Sequence, residues 1–440
     1  MSEPSLPEGS GLPPVTPPPE HPGRQWAYVA IAAGFAVPGV VVRLGDIHHE
    51  PVVGAILFGI AIVAAAFALS WAAEVAQIDI SRGLALAALA FIAVLPEYAV
   101  DLVFAWKAGK DPDGFAHLAL ANMTGANRLL IGIGWSMVVF LAIWARRRAG
   151  RTHIPFSEGE VHLDKTQSVE ISFLSIATAY SLSLPLKRTL TLLDAALLVT
   201  IFIVYLVRIS KAPAEHPHLV GPAQLFGSMS TAARRASVLV LFFVSAGVIL
   251  AVAEPFAESL VTAGADIGID EFLLVQWLAP LASEAPELIV AGLFAWRMMP
   301  AAGLGALVSS KVNQWTLLVG TLPIVFAISG NTLDGLPIDG VQREEIFLTA
   351  AQSVFAVAVL MNLSLDAREA MALFGLFVTQ FIIGAVFGNE VDTYTRIIIG
   401  CIYLLLAAWL VIRRRASVRP MIRNGFRSNL AELAASDREG

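Results

Sequence analysis

The chain has 440 residues, 57% of them hydrophobic and only 15% charged, and its mean hydropathy is +0.72. Soluble domains carry about 25% charged residues, so this composition excludes a water-soluble globular protein and calls for repeated passage through a bilayer. The net charge of −6 offers no footing for nucleic acid, and the single cysteine, Cys401, excludes an internal disulfide or a cysteine metal centre.

Residues 1–24 are polar and Pro-rich, the composition of a disordered tail and not of a cleavable leader. Crossing the hydrocarbon core takes about 20 apolar residues. Such runs lie near 25–43, 52–77, 83–106, 116–145, 168–184 and 189–208, then near 235–262, 271–296, 302–329, 345–363, 370–387 and 396–412. The expectation is an all-α polytopic membrane protein of about 12 transmembrane helices. Arg146, Arg147, Arg148, Arg151, Lys165, Arg208, Lys211, Arg234 and Arg235 fall in connections on one side, together with the arginines of the C-terminal tail. The positive-inside rule makes that side cytoplasmic, so a multi-pass protein of the plasma (inner) membrane with both termini in the cytoplasm is expected. The histidines fall in tails, loops or span edges, which argues against an intramembrane histidine–metal centre.

The third predicted span carries LPEYAVDLVFAWK (Leu95 to Lys107) and the eighth EAPELIVAGLFAW (Glu284 to Trp296). One constant offset lays DLVFAWK on AGLFAWR, Pro96 on Pro286 and Glu97 on Glu287. An odd and an even span run in opposite directions, so this is an inverted repeat. Trp106 and Trp296 are accounted for as interfacial anchors; the acids are not. A charge at mid-bilayer costs roughly 3 kcal/mol, so Glu97, Asp101, Glu284, Glu287, Arg128 and Lys311 left unpaired would cost on the order of 15–20 kcal/mol.

Glu97 and Asp101, four apart, share a helical face, as do Glu284 and Glu287, three apart. Each proline removes a hydrogen bond and crowds the carbonyl four residues back, near Ile92 and Ala282. Carboxylate and carbonyl oxygens are the ligands of hard cations, and Ser283, Ser309, Ser310, Asn313, Asn122 and Asn127 can complete a shell. Inverted repeats with polar, proline-interrupted helices point to a secondary transporter with its site at the repeat interface.

Several residues have two readings. Asp101 is a ligand or is solvated at the outer interface, and Glu284 faces the site or pairs with Lys311. Arg128 is a structural counter-ion, and Lys311 is a group able to carry a proton. Glu74, Glu254 and Glu258 line a vestibule or are paired, and the acids between Ser329 and Glu345 belong to a solvated outer loop.

Each acid-bearing span precedes a helix with a small and amide-rich opening, ANMTGANRLLIG from Ala121 and ALVSSKVNQWTLLVG from Ala306. These pairs resemble the α-repeats of the sodium/calcium exchanger superfamily, whose pattern runs G-T-S-x-P-E and then G-N-x-x-G-S-N-x-x-N/D. The resemblance is best over 55–150 and 235–330. It implies two inverted five-helix repeats with an extra span at each end: a tail at 1–24, a span at 25–50, repeats at 51–231 and 232–390, and a last span with a basic tail at 391–440. It further implies alternating-access exchange of Ca²⁺, or a similar cation, for Na⁺ or H⁺. Glu97 and Glu287 would be the chief ligands, and Glu284, Ser283, Asn122, Asn127, Ser310 and Asp101 are the further candidates.

The departures from the pattern are Ala93 and Val94 before the first P-E, Glu284 at a usual serine, Lys311 at a usual asparagine, and Leu130 and Gln314 at the later Asn/Asp positions. A cation such as Lys311 or Arg128, paired with Glu284 or Asp101, stands in for a bound Na⁺ and favours proton coupling. Na⁺/H⁺ antiport with Lys311 in the coupling is the alternative. No H-E-x-x-H supports a hydrolase and no G-x-x-x-x-G-K-[ST] loop supports ATP-driven pumping. The expected partners are the bilayer and inorganic cations, without enzyme activity, ATP, nucleic acid or a cofactor.

Overall fold

The structure, a computed structural model, describes residues 19–79, 95–149, 159–212, 219–268 and 270–438, with backbone only at 267, 387–392 and 438. The helices are α1 Pro22–Leu44, α2 Pro51–Ala76, α3 Leu95–Lys110, α4 Pro112–Leu129, α5 Ser136–Arg148, α6 Ser168–Ser181, α7 Leu192–Ile209, α8 Pro222–Gly227, α9 Thr231–Ile267, α10 Glu271–Trp296, α11 Pro300–Asn313, α12 Val319–Gly330, α13 Gly340–Leu360, α14 Ala367–Arg413, α15 Arg415–Phe426 and α16 Leu430–Arg438. Proline opens α1, α2, α4 and α11, where its missing N–H costs nothing. Capping boxes built on Thr191 and Asp194, and on Asp366 and Glu369, start α7 and α14.

The molecule is an all-α polytopic membrane protein. Among the described residues 10 helical segments are long and apolar enough to cross a bilayer. The sequence expectation adds two to these. One is the span at 83–106, whose first part lies outside the described residues and whose remainder is in α3. The other is α13, which carries Arg343, Glu344 and Glu345 in its first turns. Residues Ala367–Arg413 are helical throughout, yet Arg414 Nη2 meets Glu369 Oε1 at 2.5 Å. The two ends of α14 therefore come together, and its apolar halves, 367–386 and 393–413, are each long and apolar enough to cross a bilayer.

Two short ladders show which connections share a side. Strand β1 (Glu160–His162) pairs with β4 (Ser364–Asp366), and β2 (Thr189–Leu190) pairs with β3 (Leu336–Pro337). The first ladder lies on the side predicted to be basic, the second on the opposite side. On the first side the C-terminal tail does not trail away. Arg208 donates to the carbonyls of Asn424, Gly425 and Ser428, and Asp437 accepts from the backbone N–H groups of Lys165 and Thr166. Asp79, just past α2, is gripped by Arg234 at 2.7 and 2.9 Å. The Arg234 hydrogen bonds hold its carboxyl below the usual range.

The inverted repeat extends to backbone irregularities. A π-helical turn, Leu130–Trp135, joins α4 to α5, and another, Gln314–Leu318, joins α11 to α12. They begin at the separation of 184 that also relates Asn127 to Lys311. Such turns recur at functional sites. Helix α4 lies backbone-to-backbone on α10: a Cβ added at Gly125 would fall 1.7 Å from the Gln276 carbonyl oxygen. Gly125→Ala should therefore destabilise the protein by about 1–3 kcal/mol through overpacking. This is readable as a lowered Tm in detergent, with Gly247→Ala, which meets nothing within 4 Å, as the control that should lose no stability.

Candidate cation-binding site

Four helices meet where the repeats face one another. α3 supplies Glu97, Tyr98 and Asp101; α10 supplies Glu284 and Glu287; α4 supplies Asn122 and Asn127; and α11 with its π turn supplies Ser310, Lys311, Asn313 and Gln314. Glu97, Asp101 and Glu284 are 3%, 0% and 2% exposed. The Glu284 carboxyl lies near those of Glu97 and Glu287, and Glu97 Oε1, Glu284 Oε2, Glu287 Oε2 and the nearby Ser310 Oγ are buried without a hydrogen bond among the described residues. Gln314 Nε2 donates to Glu284 Oε1 at 2.7 Å. Carboxyls from both repeats thus share one water-poor space. Helix α10 stays helical through Pro280 and Pro286, so each proline removes a single bond without breaking the helix as expected. Ile92, Ala93 and Val94 lie outside the described residues.

The remaining candidates divide. Asp101 is not solvated at an interface; it is fully buried and accepts from Asn122 Nδ2 at 2.7 Å. Ser283 turns back on its own helix, donating to the carbonyls of Ala279 and Pro280. Asn127 anchors its Nδ2 on the Met123 carbonyl at 2.9 Å and receives the Lys311 ammonium on Oδ1 and backbone O. Lys311 therefore does not pair with Glu284 or Asp101, because Gln314 and Asn122 already serve those acids and two Asn127 oxygens converge on its Nζ. Tyr98, whose hydroxyl donates to Asn313 Oδ1 at 3.3 Å, was not a candidate from the sequence. It reads there as one more apolar residue of a span.

Arg128 is held apart from the carboxyl cluster. Its Nη2 meets Glu345 Oε2 at 2.7 Å, its Nη1 donates to Gln380, and its guanidinium lies 4.8 Å from the Trp277 ring centroid. Glu345 also binds Arg396 Nη1 at 3.1 Å. The outer-loop reading of Glu345 is thereby corrected: it is fully buried on α13 between two arginines. Its neighbours Arg343 and Glu344 look like a surface run, so nothing local marks it.

Among the described residues no three His, Cys, Asp or Glu side chains form a closed metal-ligand set. The acids face one another and their neutral neighbours instead. Toward the side opposite the basic one, Glu258 pairs with Lys107, and Glu254 lies 3.9 Å from Arg43. A cavity of about 270 Å³ there is lined by Arg43, Asp46, His49 and Glu258 and by none of the central acids. Glu74 accepts from Ser70 at 3.5 Å, within α2.

The family model described as sodium/calcium exchanger protein matches residues 50–211 and 237–412. A crystal structure of the H⁺/Ca²⁺ exchanger CAX is 42% identical, with a TM-score of 0.84 over 94% of this chain and 100% of its own. The structure of native YfkE is 14% identical, with a TM-score of 0.56 over 87% of this chain and 100% of its own, a likeness of fold. No curated protein matches the chain in sequence. Glu345→Gln should remove the carboxylate shared by Arg128 and Arg396, the latter keeping Glu344, and cost about 3–5 kcal/mol. A large fall in Tm would follow, whereas a Tm within a degree or two of the parent would mean that the triad does not hold these helices.

Proposed function

Since the chain belongs to the sodium/calcium exchanger family, we propose that it exchanges Ca²⁺, or a similar cation, for protons by alternating access at the Glu97–Glu284–Glu287 cluster. The observation that carries this reading is that carboxyls from both repeats share one buried space. None of the three makes an ion pair with lysine or arginine among the described residues. Negative charges this close, away from water, have to be neutralised. Two protons or one divalent cation neutralise a carboxylate pair equally, so each displaces the other. The cycle is then a competition for the same oxygens, reached alternately from the two sides as the repeats rock.

Protons are favoured over Na⁺ by two considerations. The 42% identical structure is titled an H⁺/Ca²⁺ exchanger, and part of the neutral-oxygen set is taken by Lys311. Na⁺/H⁺ antiport with Lys311 carrying the proton is the second reading, motivated by the burial of that amine beside the acids. Ser310, Asn122 and Asp101 are proposed as supporting oxygens, and no resident cofactor enters the cycle. A plasma (inner) membrane location with cytoplasmic termini is supported by the arginines of the tail, which gathers on the side of the β1–β4 ladder.

The test is Ca²⁺ uptake into sealed vesicles holding the purified protein. A proton gradient directed outward should drive uptake, and acidifying the Ca²⁺ side should raise the apparent KM for Ca²⁺. Glu97→Gln and Glu287→Gln should each cut uptake by more than the roughly 10–100-fold that loss of a supporting contact costs. Uptake indifferent to the pH gradient would sink the proposal, and a pH-driven Na⁺ flux without Ca²⁺ flux would favour the second reading.

A further inference from the structure

Lys311 stands where the inverted repeat has Asn127, and the two residues meet. The ammonium donates to Asn127 Oδ1 at 2.5 Å and to the Asn127 backbone carbonyl at 2.6 Å. Lys311 is 0% exposed and its Nζ lies 5.5 Å from the Trp315 ring centroid. It makes no ion pair among the described residues. Asn127 is pre-set for this contact, since its Nδ2 is fixed on the Met123 carbonyl and its Oδ1 is thereby turned toward α11. A side-chain amide oxygen and a backbone carbonyl oxygen aimed at one point are the neutral ligands that hard metal cations use. Here a positive charge fixed to the chain uses them.

We propose that Lys311 is a tethered monovalent cation. It fills a neutral-oxygen subsite at Asn127 that would otherwise admit Na⁺, and so excludes sodium from the exchange. The proposal rests on the carboxyl cluster being the exchange site. It adds that the coupling ion is chosen by a residue which binds none of the three clustered glutamates. A mobile Na⁺ at this position would enter and leave with each cycle, whereas an ammonium on a lysine stem stays. Its charge beside the acids also discourages a second cation, so the cluster takes one divalent ion against protons.

The experiment compares the wild type, Lys311→Asn and Lys311→Met in sealed vesicles, with Ca²⁺ flux driven by an opposing Na⁺ gradient or an opposing pH gradient. Lys311→Asn places an amide at both repeat positions and removes the tethered charge. Its Na⁺-driven Ca²⁺ flux should rise at least about tenfold above the wild-type background, equivalent to roughly 1.4 kcal/mol. Lys311→Met fills the space without oxygen ligands and should stay at that background. Folded Lys311→Asn that is indifferent to Na⁺ overturns the proposal, as does Na⁺-driven flux in the wild type.

Should Lys311→Asn not fold, the wild type decides. Its Tm should be the same in NaCl and choline chloride of equal ionic strength, and stabilisation by Na⁺ overturns the idea. A wild type that moves no Ca²⁺ on a pH gradient fails the exchange reading instead, and the Na⁺ arm separates the two failures.

Discussion

A charge carried into hydrocarbon has to be met by another group there, and the interior of this protein is organised by that requirement. Two buried networks satisfy it in different ways. Around Glu345 the solution is ionic: Arg128 and Arg396 converge on one carboxylate, tying α4 to α13 and to the second half of α14. Around Glu284 the solution is neutral. Gln314 and the neighbouring carboxyls take the place of counter-ions. The first network is closed and fits a scaffold. The second has no fixed counter-ion on its carboxyls, which is the property the proposed exchange of cations needs.

The scaffold holds the second network in place through close contact. Gly125 lets α4 lie on the backbone of α10, so Asn122 and Asn127 stand directly beside the acid-bearing helices. The two β-ladders lock connections from opposite repeats on each side of the protein. The C-terminal helices are fastened under α6 and α7 by Arg208 and Asp437. The π turns at Leu130 and Gln314 lie at equivalent places in the two repeats. Backbone there departs from the regular helical ladder, and Gln314, which opens the second π turn, is the residue that donates to Glu284.

Much of this was legible in the chain itself. The spans, the inverted repeat and the acidic faces follow from hydropathy, from the match of DLVFAWK to AGLFAWR, and from spacings of three and four residues. Each of these is a local property, and the cost of mid-bilayer charge turns it into an expectation of a shared site. The proline-interrupted helix was only half right. The loss of one hydrogen bond at Pro286 follows from its ring, but neighbouring bonds keep α10 helical through it. Glu345 was misread because a charged run after a polar loop has the same local signature whether it meets water or a buried arginine.

By itself, then, the sequence determined that the protein is helical, crosses the membrane many times, and presents acids in pairs from two related halves, because periodicity and transfer cost act within a single helix. The tertiary structure alone decided which charge meets which partner. Lys311 could have reached Glu284 or Asp101 by any argument of sequence distance. It binds Asn127 because α4 and α11 bring those two equivalent positions together, and because Gln314 and Asn122 reach the acids first. Pairing inside a bundle depends on how helices remote in sequence pack and rotate, and no local pattern encodes that.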